Sequence, residues 1–301
     1  MKKIDFNIMS EDAALNLILQ CEENFNKHIN EAVDKIVGKS ETMIITLAGP
    51  TCSGKTTTAG ILTKRIEENE KNAVVMSIDD FYIDRNGERC VTKEVPDYDS
   101  IKAIDFDYFA KFTKRLTEGK SVLIPNYDFT VTRRVGYEEY IPKKNDIYVF
   151  EGIQAVYPEI TELFCGANKS IFISVTDDII YNGTILTKNE IRLLRRIVRD
   201  YKFRNSSAEF TLHLWKSVRD NEDANIFPNS ENCSIYLNSF MEYEPFIISS
   251  FVRPLLCDVP EKSKYSQEAK DLLCKMKAFE CPHFSDRMVP ENSVFREFIG
   301  K

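Results

Sequence analysis

The chain has 301 residues, 43% apolar and 29% charged, and a formal net charge of −7. That length suits one large α/β domain with an appendage, or two small domains, with enough apolar material for a sizeable core. The acidic balance argues against a nucleic-acid surface, which needs a positive field, and allows only a local basic pocket.

Acidic residues Asp5, Glu11 and Asp12 stand where an export signal would be apolar, and no run approaches about 18 consecutive apolar residues. The expectation is a cytoplasmic chain with no membrane partner. The eight cysteines are scattered, with no CxxC pair, and read as reduced thiols that mostly act as small buried hydrophobes.

Residues 11–37 carry Leu15, Ile18, Phe25, Ile29, Val33 and Ile36 at helical spacing, with Ser10 able to cap the start and Gly38 at the stop. This leader helix packs on the core or serves a homo-oligomer. Residues 42–48, 73–78, 121–124, 147–150 and 170–175 are short apolar strands, and residues 55–69 and 106–118 are helical. Apolar strands alternating with helices indicate a doubly wound parallel sheet, the α/β class, with helices on both faces. Residues 191–203 form a basic helix and residues 207–218 another. Residues 220–232 form a polar loop, 234–238 a last strand and 265–278 a terminal helix. The implied organisation is a leader over 1–40, a main domain over 41–260 with a lid around 187–220, and a helical extension over 261–301.

Gly49-Pro50-Thr51-Cys52-Ser53-Gly54-Lys55-Thr56 fits GxxxxGK[ST] between a strand and a helix. Glycines let successive N–H groups turn toward phosphates, and the helix N-terminus adds positive potential. Gly49, Thr51, Cys52, Ser53, Gly54, Lys55, Thr56 and Thr57 form the candidate nucleotide-binding set. Lys55 would reach the β- and γ-phosphates of ATP or another nucleoside triphosphate, and the Thr56 hydroxyl would ligate Mg²⁺. Cys52, near a helix N-terminus and Lys55, is expected to be alkylated readily and protected by ATP. Asp79 follows the second strand, where carboxylates face the ligand crevice, and is placed to take a proton from an acceptor hydroxyl.

Further segments resemble the uridine kinase family, within the phosphoribulokinase/uridine kinase superfamily. They are Asp79-Asp80-Phe81-Tyr82, Pro96-Asp97-Tyr98-Asp99-Ser100, Pro125-Asn126-Tyr127-Asp128-Phe129, Val149-Phe150-Glu151-Gly152-Ile153 and Arg192 through Asp200. With the phosphate loop, six motifs stand in family order. Trp215 to Arg219 and Asn225 to Pro228 are similar to a bacterial branch of uridine kinase-like proteins. Longer members of that branch begin with a region like the N-terminus of threonyl-tRNA synthetase, where this chain has the leader helix.

The resemblance implies ATP-dependent, Mg²⁺-assisted phosphorylation of a nucleoside 5′-hydroxyl, with uridine first and cytidine second. It implies Asp79 as general base and, with Thr56 and Glu151, as a metal residue. Asp99 would accept the ribose diol, and Tyr82, Tyr98 and Tyr127 would contact the nucleoside. Arg196, Arg199 and Arg204 of the lid would fork onto phosphates, with Arg196 also near substrate and Arg199 catalytic beside Lys55 and Asp79.

Three positions depart from pyrimidine-specific relatives. Thr132 stands where a base-reading His is expected, Ser206 replaces an Arg, and Leu214 replaces a Gln. Reaction type is therefore better indicated than the base. A kinase of another small alcohol, such as a sugar phosphate or pantothenate, remains open. So does a regulatory P-loop NTPase, although there is no Asn-Lys-x-Asp signature.

Overall fold

A computed structural model describes residues 1–4, 9–37, 44–84, 100–164 and 168–300. Tyr98 and Asp99 lie outside the described residues.

A short strand β1 (Lys2–Lys3) precedes α1 (Glu11–Val37). Next come β2 (Ile44–Ala48), α2 (Lys55–Glu67), β3 (Ala73–Ser77), α3 (Phe106–Thr117), β4 (Val122–Asp128), β5 (Arg133–Tyr140), β6 (Ile147–Glu151) and α4 (Pro158–Thr161). β7 (Asn168–Ser174), β8 (Ile179–Tyr181) and β9 (Thr184–Leu186) lead into α5 (Lys188–Arg204) and α6 (Ala208–Asn221). Then come α7 (Phe227–Ser230), β10 (Ile235–Asn238), α8 (Glu244–Cys257), α9 (Ser266–Lys277) and α10 (Arg296–Ile299).

The central sheet is five-stranded and parallel, in the order β10-β7-β2-β6-β3. Side chains alternate across a strand, and here the alternation divides two cores. Ile45 and Leu47 of β2, Ile147 and Val149 of β6, and Ile171 and Ile173 of β7 face the core built with α1, α2, α5, α8 and α9. Ile44, Ala48, Tyr148, Phe150 and Phe172 face the other core, with Phe109 and Phe112 of α3. Burial on both faces explains why these strands read as unbroken apolar runs.

α1 buries Leu17, Ile18, Phe25, Ile29, Val33 and Ile36 in the first core. Each such side chain contributes roughly 1.5–3 kcal/mol. Leu15, expected on that face, is 38% exposed, and Leu17 takes its place. The same core takes in Phe279, Val294, Phe295 and Phe298, so the N-terminal helix and the C-terminal segment share one interior with the sheet.

Three regions differ from the sequence expectation. β4 is not in the central sheet; it runs on to Asp128 and pairs antiparallel with β5 in a separate two-stranded ribbon, with a bulge at Asn126/Tyr127. Residues 220–232 are not a plain loop but a π-turn, Glu222–Ile226, followed by α7. Cys257 and Cys274 are exposed rather than core. Among the described residues no helix is long and apolar enough to cross a membrane.

Candidate active site

The loop after β2 needs glycine at two places. A Cβ on Gly49 would lie 2.1 Å from the Ile173 carbonyl oxygen of the neighbouring strand. Gly54, the N-cap of α2, has φ +87°, and a Cβ there would meet Val294 Cγ1 at 2.3 Å. Both are close backbone approaches that only glycine tolerates. Lys55 Nζ donates to the carbonyls of Gly49 (2.9 Å) and Pro50 (3.1 Å), so its ammonium lies inside the loop. Thr56 is exposed, with its hydroxyl open to a ligand, whereas Ser53 is buried and its Oγ has no hydrogen-bond partner. Cys52 is 2% exposed and packs in the first core, which corrects the expectation of ready alkylation. It adopts φ +57°, so its part in the loop is a backbone one.

The carboxylates stand where the parallel strands end, as ligand-facing groups do in open α/β sheets. Asp79 lies in the 3₁₀ turn Ile78–Phe81 after β3, and Glu151 closes β6 opposite Ser77. Ser77 Oγ donates to Glu151 Oε1 at 2.9 Å. Asp79 Oδ1 is buried with no hydrogen-bond partner among the described residues. Burial pushes the Asp79 carboxyl upward, while the Lys55 charge and a Tyr82 hydrogen bond pull it back. Burial, then the Asp79 charge, raises Glu151 to about 7, against Lys55. Asp79, Glu151 and Lys55 are therefore one electrostatic group. Asp80, its neighbour, instead accepts the Tyr127 amide at 3.1 Å and fixes the ribbon to the turn.

Thr56, Asp79 and Glu151 suit a magnesium ion. Mg²⁺ is held by one or two carboxylates plus phosphate oxygens, and Asp79 presents a carboxylate oxygen that no protein group takes. Beside them, Tyr82 and Tyr127 are buried with ring centroids 5.7 Å apart, and Phe129 lies 5.8 and 5.1 Å from the two. Gln154 Nε2 donates to the Tyr82 hydroxyl at 3.2 Å. Thr132 closes the β4–β5 turn in a left-handed conformation, φ +55°, with its hydroxyl buried and without a hydrogen-bond partner.

α5 begins in a capping box between Thr187 and Glu190 and ends at left-handed Asn205. Its arginines divide. Arg192 forks onto Glu222 (2.6 and 2.7 Å) and donates to Thr51 O, while Glu222 also accepts the Thr51 amide at 3.1 Å. Arg195 forks onto Glu244 (2.9 and 2.5 Å) and reaches Cys52 O and Ser239. These two are buried braces of the phosphate loop. Arg196, Arg199 and Arg204, the three expected at phosphates, gather on one carboxylate, Asp200, at 3.1, 3.2 and 3.5 Å. Burial opposes the Arg199 charge, but nearby Cys52, Asp200 and Glu297 hold its pKa above the usual guanidinium value.

Glu222, Glu244 and Glu297 were not singled out from the sequence. Glu222 lay in a stretch that reads as polar loop, and no spacing signal ties it to a loop 171 residues away. Glu297 is further still: its Oε2 accepts the Thr57 amide at 3.1 Å across 240 residues.

The Phosphoribulokinase / Uridine kinase family matches residues 44–243. A uridine kinase of Ureaplasma urealyticum serovar 10 is 26% identical over 194 residues, 64% of this chain and 86% of that one. A uridine kinase of Staphylococcus haemolyticus is 30% identical over 179 residues, 60% of this chain and 78% of that one. The solved structure of a "putative fructose transport system kinase" from Silicibacter sp. TM1040 shares the fold at 16% identity and a TM-score of 0.52, covering 69% of this chain and 98% of that one. The matched span contains the loop, both strand-end carboxylates and the arginine helix, and the chain belongs to the Phosphoribulokinase / Uridine kinase family.

Proposed function

We propose that the protein transfers the γ-phosphoryl group of ATP to the 5′-hydroxyl of a nucleoside, uridine first and cytidine second. One observation carries this reading: Asp79 holds a buried carboxylate oxygen with no hydrogen-bond partner among the described residues, within the electrostatic reach of Lys55 at the foot of the phosphate loop. A carboxylate so placed can accept the acceptor hydroxyl and take its proton. The relatives named uridine kinase support a nucleoside as acceptor.

In this reading the loop amides and Lys55 bind the triphosphate, and Asp79 orients the hydroxyl. The hydroxyl oxygen bonds to the γ-phosphorus, the bond from that phosphorus to the β-bridging oxygen breaks, ADP leaves, and the proton passes to Asp79. Arg196, Arg199 and Arg204 spread the charge on the transferring group. Mg²⁺, held by Thr56 and the strand-end carboxylates, would neutralise β- and γ-oxygens when bound. Tyr82 and Tyr127 would flank the nucleoside, and Tyr98 and Asp99 would complete its binding, Asp99 through the ribose diol. Thr132 brings only a small hydroxyl toward the base, so pyrimidine selectivity is expected to be loose.

A panel of uridine, cytidine, adenosine, ribose 5-phosphate and pantothenate with Mg·ATP tests this, with product read by mass. Uridine and cytidine should give monophosphates with the highest kcat/KM. Preferential phosphorylation of ribose 5-phosphate or pantothenate would replace the nucleoside assignment, and product from none of the five would remove it.

A further inference from the structure

A carboxylate from the C-terminal segment stands among the phosphate donors of the loop helix. Thr57 is the third residue of α2 after its N-cap Gly54, so its amide belongs to the first turn, which has no acceptor inside the helix. Such amides are what a bound phosphate takes. Here Thr57 N donates to Glu297 Oε2 at 3.1 Å. The Glu297 charge also reaches Arg199, and it opposes ionisation of Glu151. One side chain therefore occupies a helix-terminus amide, and its charge is felt at Arg199 and Glu151.

The segment that carries Glu297 is firmly seated. Val294, Phe295, Phe298 and Ile299 are each 2% exposed or less. Val294 Cγ1 lies against Gly54, and the Arg195 guanidinium sits 4.6 Å from the Phe298 ring centroid. Lys202 Nζ donates to the Ile299 carbonyl at 2.5 Å. Arg296 ties the turn through the carbonyls of Asp286, Val289 and Gly300. Glu297 itself is only half-buried. Its backbone is fixed by its neighbours, and the bond an arriving anion would have to displace is the one to the Thr57 amide.

We propose that Glu297 is a built-in competitor for nucleotide phosphate, holding the Thr57 amide until a phosphate group displaces it, and thereby weakening triphosphate affinity. The inference rests on the reading that this loop takes a triphosphate. It does not depend on which alcohol receives the phosphoryl group. Because the competition is for an amide and a positive field, it acts on the phosphate chain and not on the base.

The test compares the full chain with Glu297→Gln and Glu297→Ala, titrated calorimetrically with Mg·ATP and separately with inorganic triphosphate. Thermal unfolding of the ligand-free proteins is followed in parallel. Both variants should bind both ligands about three- to tenfold more tightly, the net scale of one hydrogen bond lost from the competing state. Glu297→Asp, with a shorter reach to the amide, should fall between. Ligand-free melting should be unchanged or lower, so that tighter binding is not a by-product of a firmer fold. Affinity that is unchanged or weaker in both folded variants overturns the proposal and leaves Glu297 a structural contact. If every form binds triphosphate but none phosphorylates a nucleoside, the acceptor assignment fails while a gain in affinity still supports the competitor. If no form binds either ligand, both fail.

Discussion

α5 carries two sets of arginines with opposite accounts of charge. Arg192 and Arg195, 1% and 0% exposed, each fork onto a buried glutamate, Glu222 and Glu244, and Glu222 takes Arg219 as well. Arg196, Arg199 and Arg204 share the single carboxylate of Asp200. Each inner arginine is held by a two-oxygen fork to a buried acid and bonds a phosphate-loop carbonyl, Thr51 O or Cys52 O; this set fixes geometry. The outer set keeps an excess of positive charge, and Asp200 orders it without cancelling it. On one helix, with one residue type, a buried glutamate forked onto each guanidinium marks the braces, and a shared aspartate marks the three arginines proposed to meet phosphates.

The largest effect should come from breaking the inner set. Glu244→Ala leaves the Arg195 charge buried without its ion partner, and chemical denaturation should show a loss of about 3–5 kcal/mol. Replacing both partners, as Arg195→Met with Glu244→Leu, should cost clearly less, because no charge is then stranded. If the single and double variants unfold alike, the inner pair is not an electrostatic unit.

Breaking the outer set should leave stability and remove catalysis. Arg199→Ala should lower kcat by roughly 10²–10³-fold, with stability within about 1 kcal/mol of the parent. Steady-state kinetics beside a melting curve reads both. A variant that unfolds but, where folded, turns over normally would place Arg199 with the scaffold.

Glu151 sharpens the contrast as a buried acid with no guanidinium locked onto it. Its pKa rises from 4.5 to about 7 on folding, through burial first and the Asp79 charge second. The folded chain therefore holds this proton more tightly than the unfolded one. The sign follows: the ligand-free protein loses stability as pH climbs from about 4.5 to about 7, by at most about 3 kcal/mol. Glu151→Gln should flatten that part of the stability–pH curve, and a parallel curve in the variant would contradict the shift.

Much of this was legible in the sequence. The boundaries of α1 and the starts of α2 and α3 follow from periodicity and caps, and the glycines of the loop and the carboxylate after β3 follow from motif spacing. What was not legible has physical causes. β5 reads Arg-Arg-Val-Gly-Tyr-Glu-Glu-Tyr and buries neither face fully, so it lacks an apolar signal, and its partner β4 was assigned to the wrong sheet. α8 buries Pro245 through Ser249 in succession and leaves out to solvent a stripe of Ser250, Pro254 and Cys257 that carries no charge, so periodicity gives little signal there. Arg192, Arg195, Arg196 and Arg199 look equivalent in a line of sequence. Their partners Glu222 and Glu244 lie 30 and 49 residues away, and only the fold brings them in.

If phosphoryl transfer occurs between Asp79 and Lys55, Asp79→Asn will show it in an assay of uridine phosphorylation with ATP affinity measured alongside. The expected result is a fall in kcat of about 10²–10⁴-fold with nucleotide affinity changed only a few-fold. Transfer at the parental rate in a folded Asp79→Asn protein would contradict it.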